Sequence, residues 1–429
     1  MLFEPKVKVN FADMLDGIVI PPMYRVRQRF EDRHIERVRE TVLDEMARFT
    51  AGRVLKNKRI AVTAGSRGIS HNAEIMSAVL EGLRRAGARP FLVAAMGSHA
   101  GATPEGQLAM IRHLGIDPDA LGVEVKASMD TVQVGALENG MPVYFSKDAF
   151  EADGVFAVNK IKPHADFKGE YESGLVKMLV IGLGKHKGCS TIHRMGFENF
   201  SWALPTAARV ILDSCPILGG LAIVENAYDQ PMLLEAVAAA DFMDREKELL
   251  VLAKQNIARI KTEQLDVLII DEIGKNISGE GMDPNVTGRP GSYLNEGFDC
   301  IRINQIVVRD VTEPSGGNGA GIGMADITTL SCVRKLDLGA MYTNSITAGI
   351  LGPSRLPVIL NSDEEAVKTA VKIGAGAQGG APRIARVRNT LMLDEILISE
   401  ALLAEFSSRE DVEVVGRADF LFDEDGSFR

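Results

Sequence analysis

Three histidines and one lysine stand where chemistry could be done. His99 sits in Gly97-Ser98-His99 and His164 in Lys162-Pro163-His164. Lys177 follows His164 by thirteen residues, in Gly174-Leu175-Val176-Lys177, and His193 lies sixteen further on, in Thr191-Ile192-His193. The chain has only seven histidines in 429 residues. These three fall at predicted strand-to-loop junctions or just beyond a glycine loop. Imidazole titrates near neutrality, and its neutral form ligates metals. The pattern therefore points to acid–base chemistry, to a metal, or to both.

Other residues carry weaker signals. Lys160, Lys162, Lys168 and Lys177 crowd one glycine-containing segment. It reads either as a solvated basic loop or as an anion site with a lysine that could join a cofactor. Arg67, in Ser66-Arg67-Gly68, is either a surface residue or a fork for a substrate carboxylate. His186, Cys189 and His193 would share a helix, but a closed zinc site needs about four ligands and no second Cys/His pair is near. Gly374-Ala-Gly376-Ala-Gln-Gly379 matches GxGxxG literally. A dinucleotide fingerprint needs a strand before it and a helix after it. Here a helix precedes, so a helix C-terminal loop is expected. His34, His71 and His113 read as structural.

The elements that must position these residues follow a βα rhythm. Apolar runs at 59–64, 89–96 and 154–159 read as buried strands, each ending near glycine or a polar loop. Apolar spacing at 73–86 predicts a helix, and Thr103-Pro104-Glu105 opens another, with Thr as N-cap and Pro at the first helical position. Residues 24–48 carry Val26, Phe30, Ile35, Val38 and Val42 and read as an amphipathic helix. A charged helix is expected over 240–262. Strands at 265–270, 304–310 and 357–361 and a helix at 363–373 make a second unit. Pro314–Gly323 reads as a flexible loop. Alternation of strand and helix predicts parallel α/β sheets. The expected architecture is two α/β domains, 1–260 and 261–429, with mostly parallel sheets and an active-site cleft between them. Ligands of such sheets bind beyond the carboxyl ends of the strands, where Arg67, His99 and His164 fall.

Composition narrows the classes. The apolar share is 46% and the formal net charge −10. That charge argues against a general nucleic-acid binder, which needs a basic footprint. No apolar run reaches the roughly 18 residues of a membrane span, and the N-terminus lacks the apolar core of a signal peptide. A cytoplasmic protein acting on a small molecule, without nucleic-acid or membrane partners, is expected. The four cysteines, Cys189, Cys215, Cys300 and Cys332, form no CxxC pair.

Together these segments resemble the nickel-pincer lactate racemase family. Gly97-Ser98-His99 with Ala102-Thr103-Pro104-Glu105 is similar to the family's Gly-Thr-His loop and helix start. Pro163-His164 and Phe167-Lys168-Gly169 resemble its Pro-His and Phe-Ala-Gly. Ser173-Gly174-Leu175-Val176-Lys177 resembles the stretch ending in its cofactor-bearing lysine, and His193 lies at the spacing of its nickel-ligating histidine. The resemblance covers roughly residues 55–200. It implies nickel and a pyridinium-3,5-bisthiocarboxylic acid mononucleotide. It places the cofactor on Lys177, nickel on His193, and the acid–base pair on His99 and His164, with Arg67 matching the arginine of the first loop. The implied activity is a racemase or epimerase of a 2-hydroxy acid, with hydride removed from carbon and returned. The chain departs from the pattern: Ala64 stands where the lactate enzyme has aspartate, and Gly-Leu-Val-Lys replaces Gly-Gly-Arg-Lys. The stretch from His164 to Lys177 is also longer. Lys275 and Asn276 are candidate C-terminal contacts. Two rival readings stay open: a nicotinamide-dependent 2-hydroxy acid dehydrogenase, and a non-catalytic binding protein for an anionic metabolite or the nickel nucleotide.

Overall fold

The alternation of Tyr24-Arg25-Val26-Arg27-Gln28 decides the first element. Val26 and Gln28 are buried while Arg25 and Arg27 face solvent, a period of two that only a strand satisfies. In the computed structural model, which describes residues 11–66, 68–298, 300–375 and 380–429, Met23–Gln28 is strand β1 and the following helix, α1, spans Val38–Thr50. The helix expected over 24–48 is therefore a strand followed by a shorter helix. The helical spacing of Val38 and Val42 holds only in its second half.

The chain divides into two compact units. One is Glu31–Ile257; the other joins Met1–Phe30, described from residue 11, to Ala258–Arg429. The first unit is built on β2 (Arg59–Ala64), β3 (Arg89–Ala94), β4 (Val125–Lys126), β7 (Gly154–Lys160), β8 (Ile217–Glu225) and β9 (Pro231–Ala238). Their order is β4-β3-β2-β7-β8-β9, parallel except for the antiparallel β8/β9 pair. β5 (Thr131–Ala136) and β6 (Pro142–Ser146) form a separate hairpin. The chain leaves β2 toward β3 on one side and reaches β7 on the other. The β2/β7 boundary is thus a topological switch point, where a parallel sheet opens a crevice at its carboxyl edge.

Helix α1 and helix α2 (Asn72–Arg85) share one core with this sheet, including Val42, Met46, Val79, Leu83 and Phe156. Gly82 lets the two helices approach: a Cβ there would lie 2.4 Å from Met46 Cβ. Helix α3 (Pro104–His113) begins as its sequence predicts, with Thr103 Oγ1 accepting the Gly106 N–H at 3.1 Å.

The second unit holds an eight-stranded sheet. Besides β1 it contains β10 (Gln264–Ile270), β11 (Arg302–Val308), β12 (Ile327–Thr329), β13 (Val358–Leu360), β14 (Ile384–Val387), β15 (Glu395–Ser399) and β16 (Val412–Arg417). The order is β13-β12-β11-β10-β14-β15-β1-β16. The first five are mutually parallel, and β15, β1 and β16 add antiparallel partners. The segment 314–323, expected as a flexible loop, is partly core: Ala320 and Ile322 are buried. The charged helix expected over 240–262 ends at Gln255. Gly374 closes the helix Asp363–Gly374, while residues 376–379 of the GxGxxG match lie outside the described residues. Among the described residues no helix is long and apolar enough to cross a membrane.

The Gly82 contact gives a stability test. Alanine raises helix propensity by up to about 1 kcal/mol over glycine, but its methyl would strike Met46 Cβ. Overpacking costs typically 1–3 kcal/mol. Gly82→Ala is therefore expected to be neutral to destabilising in urea unfolding. A clear gain in stability would show that the helices part at no cost.

Candidate functional site

The loops after β2, β3 and β7 all leave the same carboxyl edge. Glu225, buried at the end of β8, ties two of them: it accepts the Ser70 N–H at 2.7 Å and pairs with Lys160. Lys160 is thereby committed to a carboxylate. Arg67 lies outside the described residues, but both sides of its loop are placed. Ser70 is held by Glu225, and Ser66 Oγ is 2.6 Å from His99 Nδ1.

His99 follows β3 and is exposed. Its loop is fixed by a fully buried glutamine that the sequence pattern did not single out. Gln107 Nε2 donates to Gly97 O at 3.1 Å and to His99 O at 3.4 Å.

His164 follows β7 on a loop closed by backbone hydrogen bonds between Lys162 and Ser173. At its centre lies Glu172, with no accessible side-chain surface. Its oxygens accept the His164 N–H at 2.7 Å and the Gly169 N–H at 3.2 Å, with Lys254 at 2.5 Å and Lys168 at 3.4 Å. Lys168 also donates to His164 O at 2.9 Å. The histidine ring packs on Phe167, with centroids 4.5 Å apart. Burial, followed by the charges of Lys177, Lys168, His193 and Lys162, holds the His164 pKa well below the usual range. The ring is neutral at pH 7. Nδ1 accepts the Asp166 N–H at 3.0 Å, and Nε2 touches Lys177 Nζ.

Lys177 ends the short turn Leu175–Lys177 and leads into a π turn, Met178–Gly182, marked by the Leu183 N–H bonded to Met178 O at 2.9 Å. Such turns often sit at functional sites. Gly174 is needed here, because a Cβ would lie 2.5 Å from Glu246 Oε1. Glu246 accepts the Val176 N–H at 2.9 Å, and burial raises its carboxyl pKa to about 7 against the bonds from Val176 and Leu175.

Helix α4 (Lys185–His193) carries His193 as its last residue. The ring packs edge-on against Phe197 and Phe200, at 5.4 and 5.0 Å. Burial first, and then the Lys177 charge, push its pKa down to about 4. It is a neutral imidazole, the form that ligates metals. Cys189, on the same helix, is directed to Ser98, 3.3 Å away, and His186 Nδ1 lies 3.5 Å from Ser190. Among the described residues no three His, Cys, Asp or Glu side chains converge to hold a metal.

The structure thus gathers His164, Lys177 and His193 around an aromatic wall, with His99 at the same sheet edge. In the second unit, Lys275 Nζ donates to Gly279 O at 2.6 Å, and Asn276 Oδ1 accepts from Thr312 at 2.6 Å. Glu172, Ser66, Gln107 and Glu246 were missed by sequence reasoning. Glu172, Gln107 and Glu246 belong to no motif, Ser66 stood only as the neighbour of Arg67, and each is identified by its hydrogen-bond partners.

A parallel α/β unit with polar loops converging at its switch point is a common frame, and comparison narrows it. Residues 34–202 match the lactate racemase N-terminal domain. The fold matches the lactate racemase apoprotein from Thermoanaerobacterium thermosaccharolyticum, with TM-score 0.53, 15% identity, and coverage of 86% of this chain and 93% of that one. A Thermotoga maritima protein of solved structure is 12% identical, with TM-score 0.49 and coverage of 83% and 97%. No curated protein matches. Residues 34–202 are thus similar to the N-terminal domain of lactate racemase, and the likeness to the apoprotein extends to the fold.

The two depressed histidines give a pH test of the apoprotein. An unfolded histidine titrates near ~6.5, whereas folded His193 waits until about 4 and His164 is also depressed. The unfolded chain therefore binds more protons between these values. Their stabilising contribution is fully present above ~6.5 and is lost as pH falls through that window. His193 alone accounts for a loss on the order of 3 kcal/mol by pH 4. Urea unfolding at pH 7 and 5 should show a smaller acid penalty for His193→Asn than for the native chain. Equal penalties would contradict a buried neutral ring.

Proposed function

We propose that this protein is a racemase or epimerase of a 2-hydroxy acid that works with a nickel-pincer nucleotide. The observation that carries the reading is the neutral His193 imidazole beside Lys177 and His164 at the β2/β7 edge. A single imidazole cannot build a metal site, but it suits a metal that arrives with its other donors on an organic ligand. The residues present fit such a group. His193 would supply the protein's ligand, and Lys177 would meet the nucleotide as a tether or as an electrostatic partner. The bound nucleotide supplies the acceptor for the hydrogen carried by the substrate's carbon.

The protein's own residues supply the rest. Inversion requires the hydroxyl proton to be removed and restored on either face. His99 and His164, on loops from different strands, can address a substrate from different sides. Arg67 is the proposed carboxylate anchor. The aromatic wall of Phe167, Phe197 and Phe200 keeps water from the buried rings. The proposed setting is the cytoplasm and the proposed partner a small-molecule hydroxy acid.

Metal analysis and polarimetry test this together. Protein made where the cofactor is synthesised is expected to carry about one nickel per chain, and His193→Ala should lose most of it. Optical rotation of candidate 2-hydroxy acids, followed without nicotinamide, should change. It should slow by at least about 10²-fold in His99→Ala and in His164→Ala, with nickel retained in both. Equal nickel in native protein and His193→Ala, or turnover that demands free nicotinamide, would reject the reading.

A further inference from the structure

A buried cation with a single hydrogen bond is costly, and an apolar side chain of similar size would pack there more cheaply. Lys185 is such a cation. It is fully buried, and Nζ donates to Ala94 O at 2.6 Å. Its backbone is left-handed, with φ +54°, an uncommon state for a residue other than glycine. Burial pushes its amine down to about 8, opposed by the carboxylate of Asp148. One Asp148 oxygen lies 3.4 Å from Lys126 Nζ, and the other, Oδ2, is buried without a hydrogen bond.

The position of Lys185 explains the expense. Ala94 is the last residue of β3, just before the chain turns into Gly97-Ser98-His99. Lys185 is the first residue of α4, whose last residue is His193. Its amine therefore grips the end of one functional strand from the start of the other functional helix. The surrounding contacts follow the same seam. The Gly97 N–H donates to Gly182 O at 3.2 Å, and Ser98 Oγ meets Cys189 Sγ at 3.3 Å. A Cβ on Gly97 would stand 3.1 Å from Ile181 O, and one on Gly182 would stand 2.8 Å from Ala95 O. Two backbones pass closely here, and Lys185 reaches across with a side-chain donor to strand β3.

We propose that Lys185 is a positioning residue, fixing the end of β3 against the start of α4 and so setting the spacing between His99 and His193. A methionine would fill the same volume but leave Ala94 O without its donor. Of the contacts described above, the Gly97–Gly182 bond and the Ser98–Cys189 contact would remain across the seam. A misplacement of about 1 Å at a reacting geometry can lower rate about 10²-fold. The structural part of this proposal stands alone; its catalytic consequence rests on the function proposed above.

Hydrogen exchange of the apoprotein, read by mass spectrometry, tests the structural part without substrate or cofactor. In Lys185→Met the amides of residues 97–99 are expected to exchange at least tenfold faster, while the middle of β2 and β3 keeps its protection. Lys185→Arg, which retains a donor, should restore part of the loop's protection. If Lys185→Met folds poorly, the double variant Lys185→Met/Asp148→Asn removes the facing charge. It should regain stability but not protection at 97–99. In holoprotein, Lys185→Met should lower kcat at least tenfold with nickel content unchanged. Unchanged protection at 97–99 would overturn the proposal. So would acceleration spread evenly over the unit with a lower melting temperature, which marks a merely structural residue. Should the native holoprotein not invert hydroxy acids, the function proposed above fails while the exchange result still decides the role of Lys185.

Discussion

A carboxylate without access to water must be surrounded by donors, and Glu172 shows how much structure that demand can organise. Taking a carboxylate out of water costs several kcal/mol even after relaxation. Two lysines and two backbone N–H groups offset the cost, and they come from both ends of the 164–172 loop and from the helix carrying Lys254. Satisfying one charge therefore folds a whole loop into one shape. His164 is placed because its own N–H is among those donors. The ring's burial, its depressed pKa and its contact with Lys177 all follow from that placement.

The sheet then supplies what a single loop cannot. Parallel strands deliver their following loops to one edge, so residues far apart in sequence meet without long excursions. β3 brings His99, β7 brings His164, and the turn and helix after the second loop bring Lys177 and His193. The locks on each are different in kind. Gln107 holds the His99 loop through carbonyls, Glu225 holds the loop after β2 through an N–H and an ion pair, and Glu246 holds the turn of Lys177 through its first amides. Each lock is buried, so solvent does not compete for its hydrogen bonds.

Much of this was legible in the residues. β2, β3 and β7 are continuous apolar runs, as strands covered on both faces must be. Thr103-Pro104 announced α3 through capping chemistry. The spacing from His164 to Lys177 to His193 survived into space as one cluster. The failures have definite causes. Tyr24–Gln28 has too few residues for period two to outweigh the helical spacing beyond it, and its pairing with β15 and β16 is a long-range fact. Ala320 and Ile322 looked like part of a glycine loop because a local window cannot show burial by distant elements. Glu172, Glu225 and Gln107 were invisible for a related reason. A buried polar residue is recognised by its partners: Gln107 bonds the carbonyls of Gly97 and His99, Glu172 joins its near neighbours to Lys254, and Glu225 reaches Ser70 and Lys160.

The unequal surroundings of the two histidines carry a thermodynamic consequence. His99 is exposed and meets a serine hydroxyl, which can donate or accept; His164 is buried, with Nδ1 already committed to a backbone N–H. For a true racemisation the two products are mirror images, and the equilibrium constant is one whatever the catalyst looks like. The ratio kcat/KM must then be identical for the two enantiomers. An asymmetric site can express itself only by moving kcat and KM together for each hand. One enantiomer would bind tightly and turn over slowly, and the other would bind loosely and turn over fast. The lopsided chemistry of this sheet edge would thus be written in saturation behaviour, and never in the final composition of the mixture.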